Sequence, residues 1–400
     1  MPAALVSGLR NARWLGPERA RGYRLLLALM SAAAAAGWIA RSRGGIDPAG
    51  KPLGTDFLAF WSAARLALAG TPAAAWDLAT IGAAERASVA VDPGLSSFLY
   101  PPTFLLACLP FGLLPYFAAL PVWLALTGGA YLLAIRRWLV PHRGALITIA
   151  AFPAMLSNAG HGQNGFLTAA LLGGGLWLVE RRPWLAGAML GALIVKPQLA
   201  LALPVLVLAG GRWRVLWGAL ASAGALGLIA TIAFGAEVWR AFLDAAPVGR
   251  AILDQGLVDP AKMVSLFAAA RVLDVPAGIA FVVQGTGAFG AALLLAHVAR
   301  ARRIAPGGAA ALAGACTALM SPFLLDYDLT ITAIPLAWLF SAGVRRGFMP
   351  WDKLVLGAGY LLPLVARPVA QATGVPLAPV VLWALALAVA RAAMRDGTPA

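Results

Sequence analysis

The chain has 400 residues, a length that would suit two or three soluble domains, yet 61% of them are hydrophobic, 12% are charged and the mean hydropathy is +0.82. Soluble domains hold about 45–50% apolar and about 25% charged residues, so this chain lacks the polar surface of a water-soluble globule and reads as an integral membrane protein. The net charge of +15 fits either nucleic acid or anionic lipid, and where the basic residues fall decides between them.

A stretch carrying Arg10, Arg13, Arg19, Arg21 and Arg24 leads into a first apolar run at 23–40. Arg41 and Arg43 follow it instead of a small-x-small cleavage site, so it reads as an uncleaved anchor with a cytoplasmic start. Residues 1–22 form a basic cytoplasmic N-terminus and 23–400 a single membrane domain. A polar interval of about 57 residues, 41–97, then precedes an almost continuously apolar chain. Its first loop, 41–115, opens on Gly54-Thr55-Asp56-Phe57, with Phe57, Phe60, Trp61 and Ala64 on one face of an amphipathic, interfacial helix; a second short helix runs from Trp76-Asp77 to Ala90. On residue type alone, Asp56 is an N-cap of the first helix. The Pro-punctuated stretch 101–114 reads as a partial insertion.

Apolar segments follow at 116–135, 144–159, 164–180, 184–195, 198–210, 213–234, 277–299, 306–321, 329–343, 353–366 and 375–393. A span needs about 20 apolar residues, so 184–195 and 198–210 read as a hairpin of short helices with Lys196-Pro197-Gln198 at its tip. Alternating these segments from an inside N-terminus puts 20 of the 31 Lys/Arg on the inside with four acids (Glu18, Glu180, Asp352 and Asp396), a net +16; the outside keeps 11 Lys/Arg and 12 acids, a net −1. This is the positive-inside pattern. The charge excess therefore orients the chain against anionic lipid, and nucleic acid is not an expected partner. Both cysteines, Cys108 and Cys316, lie in apolar stretches, so there is no disulfide framework. The preference for Arg over Lys, with abundant Ala and Gly, is that of a GC-rich bacterial genome.

The outside segments gather the residues suited to chemistry: the first loop, the turn Asn158-Ala159-Gly160-His161-Gly162-Gln163-Asn164, the Lys196 tip, the second large loop 235–276 and the stretch 321–328 with Asp326 and Asp328. Such convergence is what a site at one bilayer face needs. Each residue also has a plainer reading. Lys196 can snorkel to the interface, the 158–164 turn can be a capped helix start, Asp326 and Asp328 suit a helix N-terminus, and the 235–276 loop can be a solvated face. His161 belongs to no metal-ligand spacing. There is no P-loop, no GxGxxG, no CxxC pair and no convincing internal repeat.

Several segments in order, Asp56-Phe57…Trp61-Ser62-Ala63-Ala64-Arg65…Gly70…Trp76-Asp77, Leu99-Tyr100-Pro101-Pro102-Thr103-Phe104, Gly162-Gln163-Asn164-Gly165, Leu185-Ala186-Gly187…Gly191…Lys196-Pro197-Gln198, Phe234-Gly235-x-Glu237-x-Trp239 and Ser321-Pro322-Phe323-Leu324-Leu325-Asp326-Tyr327-Asp328, resemble glycosyltransferase family 87 over roughly residues 50–345. The two acids in the last segment depart from related enzymes, which often have His or other polar residues there. The resemblance implies an all-α polytopic membrane protein of GT-C fold with about 10–13 transmembrane helices and amphipathic helices in the first periplasmic loop. It also implies an α-mannosyltransferase-like enzyme of a bacterial inner membrane, both termini cytoplasmic. That enzyme transfers a hexose, mannose foremost, from a polyprenyl-phosphate donor to a lipid or glycan acceptor at the periplasmic face. Asp56 becomes the general base on the acceptor hydroxyl. Lys196, with Arg65 in second place, holds the donor phosphate. Tyr100, His161, Gln163, Asn164, Asp326 and Asp328 contact sugar or phosphate, and no metal or other cofactor is expected. The alternatives are a polytopic transporter or lipid flippase, and a non-catalytic membrane protein of envelope biogenesis.

Overall fold

The computed structural model describes residues 3–89, 97–256 and 258–395; Ala90, the expected end of the second loop helix, and Asp396 lie outside them. The described residues form helices and turns, with isolated bridges at Arg43–Ile46, Ile46–Pro52 and Met263–Leu325 as the only β-type pairings. Seven helices among them are long and apolar enough to cross a membrane: Pro17–Arg41, Tyr116–Arg136, Trp213–Phe234, Ala277–Arg300, Asp326–Arg346, Asp352–Thr373 and Leu377–Met394. Shorter apolar helices lie between them, at Pro102–Gly112, Gly165–Leu178, Pro183–Val195, Pro197–Ala209 and Gly308–Met320. The chain is a multi-pass, all-helical membrane protein.

Elements shorter than a bilayer are where the structure adds to the apolar map. At 1.5 Å per residue, the 11-residue Pro102–Gly112 helix reaches only about 16 Å, half a hydrocarbon core. The segment expected as one span at 144–159 is two helices, Ala145–Ala150 and Pro153–His161. Proline begins the second and holds Phe152 extended. The expected hairpin is present. Pro183–Gly191 lies parallel to Trp213–Phe234, close enough that a Cβ at Gly191 would stand 2.2 Å from the Ala219 carbonyl oxygen and one at Gly187 2.4 Å from that of Val215. Small residues permit this approach between backbones. Leu203–Ala209 returns against Ala277–Arg300, and Glu180 and Arg212, just outside the two legs, come within 3.9 Å. Entry and exit are therefore at one end of the molecule, and Lys196 sits at the far tip.

Two cores result. The larger, around Tyr131, Leu172, Leu312 and Leu339, joins the long helices. The second is aromatic and belongs to the first loop: Phe60 meets Phe104 edge-on at 4.9 Å, and Phe57 stacks on Trp123 at 5.9 Å. Thr55–Leu68 is thus buried along most of its length, from Phe57 through Ala64 apart from Trp61. The amphipathic pattern predicts a helix resting in the interface on one face; protein covers it more fully than that.

Candidate functional site

The site begins at the start of Thr55–Leu68. Gly54 takes the left-handed N-cap position at φ 73°, and a Cβ there would stand 2.7 Å from Leu120 Cδ1. The Tyr116 hydroxyl, at the head of Tyr116–Arg136, lies 2.6 Å from the Leu53 carbonyl and 2.9 Å from that of Gly54. Because Gly54 is the N-cap, Asp56 is not, which corrects the capping reading. Its half-buried carboxylate lies in the first turn, where the helix dipole favours negative charge. Oδ2 accepts a hydrogen bond from Gln163 Nε2 at 3.1 Å, and the Thr55 hydroxyl donates to Oδ1 at 3.4 Å.

Gln163 is the hub. It follows Gly162, which has φ 66° and whose carbonyl accepts from Trp123 Nε1 at 3.0 Å. Gln163 is 4% exposed, and its amide is fully used. Oε1 accepts from the Tyr100 hydroxyl at 3.1 Å and the Asn164 N–H at 2.7 Å, while Nε2 donates to Asp56 and to the Tyr327 hydroxyl at 3.2 Å. The neighbours fix the amide's orientation, since a backbone N–H needs an acceptor and a carboxylate needs a donor. Burial, together with the Asp328 carboxylate nearby, pushes the Tyr100 hydroxyl well above its ordinary pKa, so it stays a donor.

Lys196 is buried and does not snorkel. Its ammonium donates to Asp328 Oδ1 at 2.6 Å and to Asn164 Oδ1 at 3.3 Å, and lies 5.4 Å from the centre of the Tyr327 ring. The two side chains of the pair are 3% and 0% exposed. Asp328 Oδ2 also accepts the Leu325 N–H, so the expected helix-start role of this acid holds beside its ion pair. Asp326 does the same with the Tyr327 N–H at 2.8 Å, and its Oδ2 faces Arg367 at 3.8 Å. His161 Nδ1 lies 3.5 Å from the Thr55 hydroxyl, and its ring is 5.7 Å from that of Tyr327. The second loop docks here too, the Val264 N–H donating to the Leu324 carbonyl beside Asp326.

Asp56, Tyr100, His161, Gln163, Asn164, Lys196, Asp326 and Asp328 therefore form one cluster drawn from five segments. Arg65 does not join it. Nine residues along a helix make about two and a half turns at 100° each, so Arg65 faces away from Asp56; it is exposed, lies 5.8 Å over the Trp61 ring and reaches the Gly112 carbonyl. Three more residues belong to the cluster: Tyr327 and Asn158, which lie in segments singled out from the sequence but had no role of their own there, and Arg367, which the sequence reading missed. Arg367 carried a signal, as the one charge in the apolar stretch 354–390. Asn158 fixes the turn by donating to the Gln163 carbonyl at 3.1 Å. Two buried amide atoms remain without a hydrogen-bond partner, Asn158 Oδ1 and Asn164 Nδ2. Such orphans are uncommon in folded proteins, and both residues are fully buried inside this cluster. Among the described residues no group of three or more His, Cys, Asp or Glu is placed to hold a metal ion.

The cluster combines a carboxylate held by neutral donors, two cations and unpaired amides, which suits proton abstraction beside a phosphate. In comparison with known proteins, the model of glycosyltransferase family 87 matches residues 98–322. No curated protein and no solved structure matches the chain.

Proposed function

The chain belongs to glycosyltransferase family 87 and is a membrane glycosyltransferase, and from that premise we propose that Asp56 is its general base. The proposed reaction moves a hexose, mannose foremost, from a polyprenyl-phosphate donor to a lipid or glycan acceptor. It takes place at the periplasmic face of a bacterial inner membrane, with both termini cytoplasmic and residues 23–400 acting as one membrane domain. The observation that carries the reading is the division of charge. Three carboxylates meet two cations: Asp328 pairs with Lys196 and Asp326 faces Arg367, which leaves Asp56 with the neutral donors Gln163 and Thr55. A carboxylate bound into an ion pair is a poor base, because its cation competes with the incoming proton.

In this reading the acceptor hydroxyl gives its proton to Asp56 as its oxygen bonds to the sugar C1 and the C1–O bond to phosphate breaks. The departing phosphate keeps the electron pair and needs positive charge nearby. Arg367 has a side chain 33% exposed and is the more accessible cation. Lys196 stands behind it, with its other donors on Asp328 and Asn164. His161, Asn164 and Tyr100 complete the sugar and phosphate contacts, while Gln163 holds Asp56 in place.

The test is sugar transfer by the purified protein with polyprenyl-phosphate-mannose and a membrane lipid extract. Asp56→Asn should lower turnover by about 10²–10⁴, the usual worth of a general base, with donor binding retained. Near-normal turnover in the variant would remove Asp56 from the role. Movement of the donor across sealed proteoliposomes without transfer would favour the transporter instead.

A further inference from the structure

The other end of the molecule holds a concave site. Three elements that start at the Asp56 cluster end together at it. Tyr116–Arg136 has Tyr116 beside Gly54 and ends at Arg136; Gly165–Leu178 starts next to Asn164 and leads to Arg181; and the segment from Asp328 runs to Arg345 and Arg346. At 1.5 Å per residue these paths are roughly 25–30 Å long, about the thickness of a hydrocarbon core. The far ends enclose a cavity of about 980 Å³ lined by Arg136, Arg137, Arg143, Arg181, Arg345 and Arg346.

Helix ends commonly carry basic residues that interact with their own carbonyls, and such residues on an inside loop would normally point into water. Here they share a hollow. The acid among the lining residues, Glu180, faces Arg212 at 3.9 Å, so the hollow is strongly positive. Its wall is aromatic: two guanidinium groups lie over the Trp177 ring, Arg181 at 4.1 Å and Arg137 at 5.5 Å, and Trp138 and Trp338 also line the cavity, both buried. Indole rings beside guanidinium groups favour the headgroup level of a bilayer. One lining side chain also keeps an unused buried atom. His142 Nδ1 accepts the Gly144 N–H at 3.1 Å, while its Nε2 has no partner. Burial, with the charge of Arg24, holds this ring below the usual histidine pKa, so Nε2 carries a hydrogen and is a free donor.

We propose that this cavity binds a phosphate-bearing anionic headgroup from the membrane leaflet opposite the Asp56 cluster, with the arginines holding the phosphate and the tryptophans lying along the glycerol and acyl carbons. Guanidinium pairs bind phosphate through two parallel hydrogen bonds, and a basic pocket between transmembrane helices is the geometry that holds a charged lipid. The site is separate from the proposed catalytic cluster and does not depend on its chemistry.

Native mass spectrometry of the full-length protein in detergent tests this, with phosphatidylglycerol, phosphatidylcholine or inorganic pyrophosphate added. Phosphatidylglycerol should be retained in preference to phosphatidylcholine, and the double variant Arg137→Gln/Arg345→Gln should weaken retention at least tenfold. Arg240→Gln/Arg250→Gln, in the second loop, should leave it unchanged. Arg137→Lys/Arg345→Lys, which keeps the charge but not the paired hydrogen bonds, should fall between. Lipid-free melting profiles of the variants separate loss of binding from loss of folding. Pyrophosphate that displaces the lipid supports the shared phosphate site; pyrophosphate that binds where the lipid does not assigns the same site to a soluble phosphate and overturns the lipid. Equal retention of the two lipids, or retention unaffected by the double Gln variant, overturns the proposal.

Discussion

Removing one member of the Lys196–Asp328 pair should be far more damaging than removing both. At 2.6 Å and an effective dielectric of about 20, the gross attraction is about 6 kcal/mol. Most of it offsets the removal of both charges from water, since the side chains are 3% and 0% exposed. Lys196→Met therefore leaves a buried carboxylate without its cation, at a cost of about 3–5 kcal/mol. Asp328→Asn leaves a buried ammonium and should cost about the same. The double variant Lys196→Met/Asp328→Asn leaves neither charge of the pair, and the amide oxygen that replaces the carboxylate can still accept the Leu325 N–H that Asp328 accepts now. It should recover most of the loss. Reversible unfolding in mixed detergent micelles measures the three variants, and the cycle should show a coupling of at least about 2 kcal/mol, well above the few tenths seen between independent sites. Additive losses, or single variants costing less than about 1 kcal/mol, would refute the pairing. The same proteins separate two roles for Lys196: a stable double variant that transfers sugar makes the lysine a structural partner of Asp328, and one that is folded but inactive makes it a contact of the donor phosphate.

Other expectations follow from single contacts. Gly162→Ala puts a Cβ 2.6 Å from Phe57 Cβ at φ 66°. It should destabilise the protein by about 2 kcal/mol or more, about 1–2 of it from the left-handed backbone alone, and lower turnover by displacing Gln163; melting curves and transfer rates at saturating donor check both. Tyr100 has a folded pKa above its ordinary value near 10, so above that pH the folded chain holds a proton that the unfolded chain releases. Stability should thus fall as pH rises past about 10, and Tyr100→Phe should flatten that part of the profile while removing one hydrogen bond to Gln163, worth about 1 kcal/mol. Arg367→Gln should raise KM for the lipid-linked donor about tenfold, the worth of one charge-assisted contact of about 1.4 kcal/mol, with a smaller change in kcat.

Most of the membrane architecture was legible because hydropathy and charge follow simple rules. The long apolar runs are helices, and the sorting of arginines anticipates that Arg136, Arg181 and Arg345 share one end. Breaks inside short segments are less legible. Pro153 splits the run at 144–159, and no apolar count detects it, since a proline can also be carried in a membrane helix. Within the site, the sequence supplies the residues but not their partners. A lysine beside proline reads equally as a snorkelling cation or a ligand, and only the fold brings Asp328, 132 positions away, to its ammonium. Asp56 resembles a helix cap because aspartates begin helices; Gly54 holds that place because the chain must turn left-handed against Leu120. Arg65 is near Asp56 in sequence, which is what suggests a shared site, and half a helical turn sets it apart.

The pairing of charges also accounts for a site built from so many acids. Burying a lone carboxylate or ammonium costs several kcal/mol, so Lys196 and Arg367, the cations proposed to meet the donor phosphate, need counter-charges while no donor is bound. Asp328 and Asp326 supply these to Lys196 and Arg367, and each is fixed in turn by a backbone N–H, of Leu325 and of Tyr327. Their positions in one short turn set both cations relative to Gln163 through the intervening Tyr327 hydroxyl. An arriving phosphate would then compete with carboxylates already in place, so its binding energy depends on the exchange of one anion for another. Asp56 stands outside that exchange. Its partners are a neutral amide and a hydroxyl, so a proton taken up in its proposed role as base would not unbalance either ion pair.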